Sequence, residues 1–359
     1  MRWDNLTLSG DSAQDALFGA GEVITRTFDT PEFRGMTFYE VRARSVLNKV
    51  PGGSRMPFEW TVNPYRGCSH ACAYCFARRT HEYLDLDSGL DFDTKIVVKV
   101  NAAELLSKQL ASPRWAGSHI AMGTNVDPYQ RVEGRYRLMP GVLKALRDVR
   151  NPFSVLTKGT LVLRDLELLC EAAAVTDVSV NVSVGCVDKA LWRQVEPGTP
   201  APSARLGVCR TLTDAGIGCG VLMAPILPYL SDSPSQLETT VRAIAEAGAR
   251  RVTPLVLHLR PGAREWYLAW LQREHPELVP RYHELYGHGA YAPKAYQRSV
   301  CAQVAELAQR CGVGNLTPAQ ARRRPVRRTA ARAGLTSAGA SARVSPGRTA
   351  GGAEQLTLL

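Results

Sequence analysis

EWTVNPYRGCSHACAYC, residues 59–75, runs from a short β-branched stretch straight into three cysteines within eight positions. A strand followed at once by Cys68, Cys72 and Cys75 places the cluster at a strand's carboxyl end, where parallel α/β folds bind ligands. The spacing is CxxxCxxC. Zinc asks for four closed ligands, and His70 offers itself as the fourth, but no second Cys or His pair stands nearby at finger spacing. Three thiolates on one short loop suit three irons of a [4Fe–4S] cube, leaving the fourth iron open.

The chain around this stretch alternates regularly. β-branched runs recur at HIAMGT, FSVLTK, DVSVNVSV, CGVLMAPI and RVTPLVLHL. Amphipathic stretches separate them, among them AELLSKQLA, PGVLKALRDV, RDLELLCEAAA, SARLGVCRTLTDAG and PSQLETTVRAIAEAG. The last two end in Gly216 and Gly248, a common helix stop. Strand–helix alternation predicts right-handed βαβ units and a parallel sheet. Six units fall short of an eight-fold barrel and fit a partial (βα)6 TIM-type barrel over 59–262, or an open doubly wound sheet. A helix is expected from about Phe76. Residues 1–58 read as a strand and loop segment lying across the barrel, and 263–314 as a C-terminal helical extension.

Charge separates the last part of the chain from the rest. Of the net charge of +11, residues 315–359 carry +7, with eight arginines and the single acid Glu354. That segment is rich in Ala, Gly, Ser and Thr and reads as a disordered basic tail, because it has too little apolar surface to offset chain entropy. The folded part is only mildly basic. No apolar run reaches the ~18 residues of a membrane span, and the N-terminus lacks the pattern of a secretory signal. A cytoplasmic location is expected, and the six cysteines outside the cluster read as small core hydrophobes.

CSHACAYC resembles the CxxxCxφC signature of the radical S-adenosylmethionine (SAM) superfamily, with Tyr74 as the aromatic φ. The resemblance implies a [4Fe–4S] cluster on Cys68, Cys72 and Cys75, SAM chelated to the open iron, an external electron donor, and Tyr74 near the adenine. Reductive cleavage would yield methionine and a 5′-deoxyadenosyl radical. YRGCSHACAYCFAR, GTNVDPYQRVEGRY, LTKGTLVLRDLELL and VEPGTP followed by APILPYLSD narrow the likeness to radical enzymes related to spore photoproduct lyase, the DNA-repair-photolyase-like group. That group implies a lyase-type reaction on a nucleic acid base or lesion.

Further candidates follow from that implication. Superfamily members commonly use a turn after the second strand to receive the methionine moiety, which points to Thr124, Asn125, Asp127 and Gln130; a Pro-anchored turn is the alternative. Lys158, after the third strand, would neutralise a carboxylate or phosphate, or else be solvated. Asn181 and Ser183 share a strand face and would meet ribose hydroxyls. Glu196 and Arg205 form either a site-shaping ion pair or a surface pair, and His258 and Arg260 end the sixth strand. Spore photoproduct lyases return hydrogen from a cysteine near the second strand, whereas HIAMGTNVDPYQ has none; Cys186 is the nearest substitute.

The terminal QLTLL resembles the peptide by which bacterial repair proteins dock on the sliding clamp, with Gln355, Leu356, Leu358 and Leu359 as contacts. The arginines before it suit phosphate contacts. Two rival readings keep parts of this picture: a radical SAM enzyme acting on a protein or small metabolite, and a non-catalytic zinc-bearing adaptor for nucleic acid or the clamp.

Overall fold

The computed structural model describes residues 6–7, 23–51, 56 and 58–313. Strands β1 (Leu6–Thr7), β2 (Ile24–Thr27), β3 (Thr37–Ala43) and β4 (Leu47–Lys49) come first, then β5 (Trp60–Val62) and β6 (Tyr65–Arg66). Helix α1 (Leu90–Thr94), β7 (Lys95–Lys99) and α2 (Ala102–Leu110) lead to β8 (Ile120–Met122). Thereafter come α3 (Glu133–Tyr136), α4 (Leu138–Asp148), β9 (Phe153–Thr157), α5 (Leu166–Val175) and β10 (Val178–Ser183). The sequence continues with α6 (Lys189–Val195), α7 (Pro202–Asp214), β11 (Cys219–Ile226), α8 (Pro234–Glu246) and β12 (Val252–Val256). Helices α9 (Ala263–Glu274), α10 (Val279–Tyr286) and α11 (Lys294–Arg310) finish the described chain.

The main sheet has the order β12-β11-β10-β9-β8-β5-β4. Its six strands from β5 to β12 are mutually parallel, and only β4 joins antiparallel. The strand order never reverses, so the sheet winds in one sense, as a barrel does, instead of doubling back as a doubly wound sheet would. β12 and β4 do not pair with each other, so the barrel is partial and open. The outward positions of β9 (Phe153, Val155) are buried under helices, whereas the inward ones (Ser154, Leu156) are half-buried, which leaves the concave face accessible. Gly123, at the end of β8, shows how tightly the strand ends are drawn together: φ is +82°, and a β-carbon there would lie 1.8 Å from the Leu156 carbonyl oxygen.

One local expectation is corrected. EWTVNPY is not one strand. Pro64, which lacks an N–H and restricts the residue before it, breaks it into β5 in the barrel and β6 in a second sheet. That second sheet has the order β1-β3-β7-β6, with β2 on β3, and it includes β7, whose KIVVK run was not recognised as a strand. Beyond the cysteines, the helix expected from about Phe76 is present as a 3₁₀ helix over Phe76–Leu84. The second sheet packs Phe38, Tyr65 and Ile96, together with Phe92 of α1, against Cys68 and Val132, so it backs the cysteine loop.

Lys99, in the second sheet, is buried, and burial reinforced by nearby Arg66 brings its ammonium down to about 7 from an ordinary 10.5. Between those values the unfolded chain holds a proton that the folded chain lacks, so this site adds stability as pH rises from about 7 toward 10.5. Lys99→Met should remove that rise. Urea midpoints at pH 6.5 and 9 should converge between the two proteins at the higher pH, with the variant more stable at the lower; parallel pH curves would contradict the placement.

Candidate active site

The cysteine loop is pinned by backbone hydrogen bonds on every side. The Cys68 amide donates to Phe92 O at 2.9 Å and the Ala73 amide to Val195 O at 2.9 Å. Gln130, fully buried, accepts from the Ser69 amide at 2.8 Å and donates to Gly67 O at 3.0 Å. Arg78, also fully buried, donates to Cys72 O at 3.0 Å and pairs with Asp93 at 2.9 Å, with its guanidinium lying over Trp266. Gly198 completes the enclosure. A β-carbon there would fall 2.1 Å from Ser69 O, and only glycine lets the 195–200 loop lie on the cysteines. Upstream, Tyr65 donates to the buried carboxylate of Glu133, which also accepts from Arg164 and from the Leu138 and Met139 amides.

One cavity opens at the strand ends, lined by Cys68, Cys72, Cys75, Tyr74, Thr124, Asn125, Asp127, Lys158, Ser183 and His258, with Leu222, Pro225, Leu255 and Leu257 as its apolar wall. All three cysteines are free. As thiols they are held protonated by burial, Cys72 being pushed up to about 12; a bound metal supplies the positive charge that a buried thiolate needs. Among the described residues no three His, Cys, Asp or Glu side chains gather as a single metal ion would require. The three cysteines of one short loop line one cavity, and three thiolates so placed suit three corners of a [4Fe–4S] cube.

The cofactor candidates divide by geometry. Lys158 donates from Nζ to Ser183 Oγ at 2.9 Å and lies over the Tyr74 ring at 5.7 Å, bringing a cation, a hydroxyl and an aromatic face together. Thr124 and Asn125 join them on the cavity wall. Asp127 lines the cavity too, but its carboxylate is taken up by the protein. It accepts from the Tyr129 amide, Thr157 Oγ1 and the Lys158 amide at 2.9, 2.6 and 2.6 Å, and faces His70 Nδ1 at 3.4 Å. Burial keeps that histidine neutral, with a pKa near 4 despite the carboxylate. Gln130 and Asn181 are placed elsewhere. Gln130 serves the cysteine loop's backbone, and Asn181 sits one inward position below Ser183, against Gly220 on the next strand. Gln355, Leu356, Leu358 and Leu359 lie outside the described residues.

Glu196 and Arg205 are no surface pair; they are 5% and 1% exposed. Tyr74 donates its hydroxyl to Glu196, and Arg205 binds the other carboxylate oxygen. Arg205 then spends its remaining donors on Ser183 O, Pro200 O and Thr199 Oγ1 at 2.9, 2.8 and 2.8 Å. Burial opposes the charge on Glu196, but Arg205 and Lys158 outweigh it and hold its pKa below the ordinary carboxylate value. Cys186 lies beyond this pair, in a small separate pocket with Trp192. His258 stacks on Tyr291 and lies tilted against Phe76 at the cavity edge, and Arg260 donates to Tyr291. Sequence reasoning did not find Arg78 or Glu133, because neither stands in a pattern separable from ordinary surface charge.

Residues 62–253 match the Radical SAM superfamily. Proteins of Mycobacterium bovis and Mycobacterium tuberculosis, both described as uncharacterized, are 50% identical over 311 residues, which is 86% of this chain and 92% of theirs. An uncharacterized protein of Methanocaldococcus jannaschii is 28% identical over 195 residues, 54% of this chain and 69% of its own. Among solved structures, spore photoproduct lyase complexed with dinucleoside spore photoproduct superposes with a TM-score of 0.57 at 15% identity, over 77% of this chain and 80% of that one. At that identity the likeness concerns the fold.

The Glu196–Arg205 pair generates a graded expectation. Glu196→Ala leaves Arg205 buried without its carboxylate and should cost about 3–5 kcal/mol in urea unfolding. Tyr74→Phe removes one hydrogen bond to a charged group and should cost about 1.5–3 kcal/mol. Equal losses, or none, would show that the pair does not organise the loop.

Proposed function

The chain belongs to the radical SAM superfamily, and on that premise we propose that Cys68, Cys72 and Cys75 hold its [4Fe–4S] cluster and that the enzyme acts on a nucleic acid base or lesion. The superfamily uses this cluster with SAM, which together supply reductive cleavage of the sulfonium to methionine and a 5′-deoxyadenosyl radical. The observation that carries the site reading is the convergence of three free thiols, Tyr74, Lys158 and Ser183 on one cavity at the strand ends.

The chain's own residues have separable tasks. Lys158 offers a cation to the cofactor's carboxylate, and its bond to Ser183 fixes where that cation sits. Thr124, Asn125 and Ser183 offer hydroxyl and amide groups to the amino acid and sugar moieties. Leu222, Pro225, Leu255 and Leu257 exclude water from the space where a radical would form. Asp127 is a positioning residue, joining the loops after β8 and β9 and facing the cysteine loop at His70.

Four observations support the substrate class. The GTNVDPYQRVEGRY and VEPGTP motifs resemble the spore photoproduct lyase-related group, and the lyase whose fold this chain shares was solved with a dinucleoside lesion. The arginines of residues 315–359 suit phosphate contacts, and the QLTLL terminus supports docking on a sliding clamp. The lack of a cysteine in residues 119–130 argues for an outcome other than thiol-returned lesion reversal.

Anaerobic, dithionite-reduced full-length protein should form 5′-deoxyadenosine several-fold faster with ultraviolet-irradiated or undamaged oligonucleotides than without. Deuterium from a labelled oligonucleotide should appear in the 5′-deoxyadenosine. Acceleration by peptides or small metabolites instead, with oligonucleotides inert, would move the substrate to another class while leaving the cofactor reading intact.

A further inference from the structure

The cofactor cavity is not the only concavity around the cysteine loop. On its outer side lies an open cleft of about 850 Å³, walled by Glu32 and Phe33, by Arg131 and Arg135, and by Gly198 and Thr199. His70 lines both spaces and is 3% exposed. At this point the partition is a single side chain of the cysteine loop. Gly198 closes it from outside, its amide donating to His70 O at 3.1 Å. A molecule in the outer cleft therefore does not touch whatever fills the inner cavity. A substrate must meet the reacting atoms and finds no opening here, whereas an electron crosses a closed wall.

We infer that the outer cleft is the docking face for a one-electron carrier protein, with the electron entering at the His70 end of the cysteine loop. The inference rests on the radical SAM reading, in which each SAM cleavage consumes one electron. The transfer balances simply: the carrier's flavin or iron–sulfur centre loses one electron, the enzyme's cluster gains it, and no proton or bond moves. The carrier is one with an acidic surface around its redox centre. The cleft sets two exposed arginines against the single acid Glu32. Arg131 donates to Ser69 O at 3.3 Å, next to Cys68, and Arg135 is stacked 3.6 Å over Phe28. Both guanidiniums are already held in place, which lowers the entropic cost of meeting a partner. Arg34 and Arg137, exposed beside these segments, add two cations against one further flanking acid, Asp29, next to Thr30.

The test uses reconstituted full-length protein with two acidic carriers as probes, a bacterial flavodoxin and a bacterial ferredoxin. Gly134→Glu adds an acid to the cleft without breaking a contact, since a β-carbon there has Leu161 Cδ1 at 3.7 Å as its nearest neighbour. Arg135→Glu reverses a charge. Each should weaken carrier binding about tenfold, with the effect shrinking at high salt. Each should slow carrier-driven 5′-deoxyadenosine formation to match, while dithionite-driven formation, which needs no docking, stays unchanged. Lys144→Glu, on the exposed side of α4, should alter neither.

Unaltered carrier binding in both variants would overturn the inference, as would failure of both carriers to bind the unsubstituted protein. Loss of oligonucleotide binding with carrier binding intact would assign the cleft to nucleic acid. Absence of cleavage even with dithionite would count against the radical reading itself, and carrier binding would still decide the docking.

Discussion

A buried carboxylate–guanidinium pair, Glu196–Arg205, is the interaction on which the site depends. Taking two charges out of water costs several kcal/mol per ion unless every donor and acceptor is matched. Here the matching is near complete, because Arg205 serves Glu196, Thr199, Pro200 and the end of β10 at Ser183. Glu196 in turn takes the hydroxyl of Tyr74, between the second and third cysteines. One ion pair thus fixes the loop after the first barrel strand to the end of the fourth, and it holds Ser183, the hydrogen-bond partner of Lys158, in place.

A second carboxylate does the same on the opposite side. Asp127 ties the turn after β8 to the end of β9 and faces His70 in the cysteine loop. Between these two anchors the described residues of the cavity wall offer one cation, Lys158, and three thiols whose burial disfavours negative charge. Such a site favours a ligand that brings its own positive metal to the sulfurs and a carboxylate to the lysine. The same pinned loop divides an inner chamber from an outer cleft, so chemistry and electron supply can occupy opposite faces of one short segment.

Much of the fold was legible because the barrel strands are β-branched runs at regular intervals, and the glycines after α7 and α8 stop their helices with φ of +85° and +72°. What was not legible had local causes. Pro64 sends Tyr65–Arg66 to a different sheet within an apparently continuous strand. KIVVK pairs with β3 and β6, far from the barrel order, so its partners left no trace in its neighbourhood. The cysteine cluster and Lys158 stood out because a reactive residue type sat at a strand end. Asp127 and Gln130 drew attention for the same reason, yet Gln130 serves the cysteine loop's backbone, and Asp127, though on the cavity wall, is engaged by the Tyr129 and Lys158 amides and Thr157 Oγ1; residue type and position do not reveal whether a polar group faces a ligand or the protein. Glu133 and Arg78 show the converse, as fully buried charges that look like surface residues in sequence.

The central claim is that three thiols hold a cube with one iron left open to SAM. Electron paramagnetic resonance of the anaerobically reconstituted, reduced protein tests it most directly, recorded with and without SAM and with iron and sulfide measured on the same sample. The account predicts about four irons per chain, a reduced-cluster signal whose g-values shift when SAM is added, and loss of that signal in Cys72→Ala. Bound zinc, or a cluster signal indifferent to SAM, would contradict it.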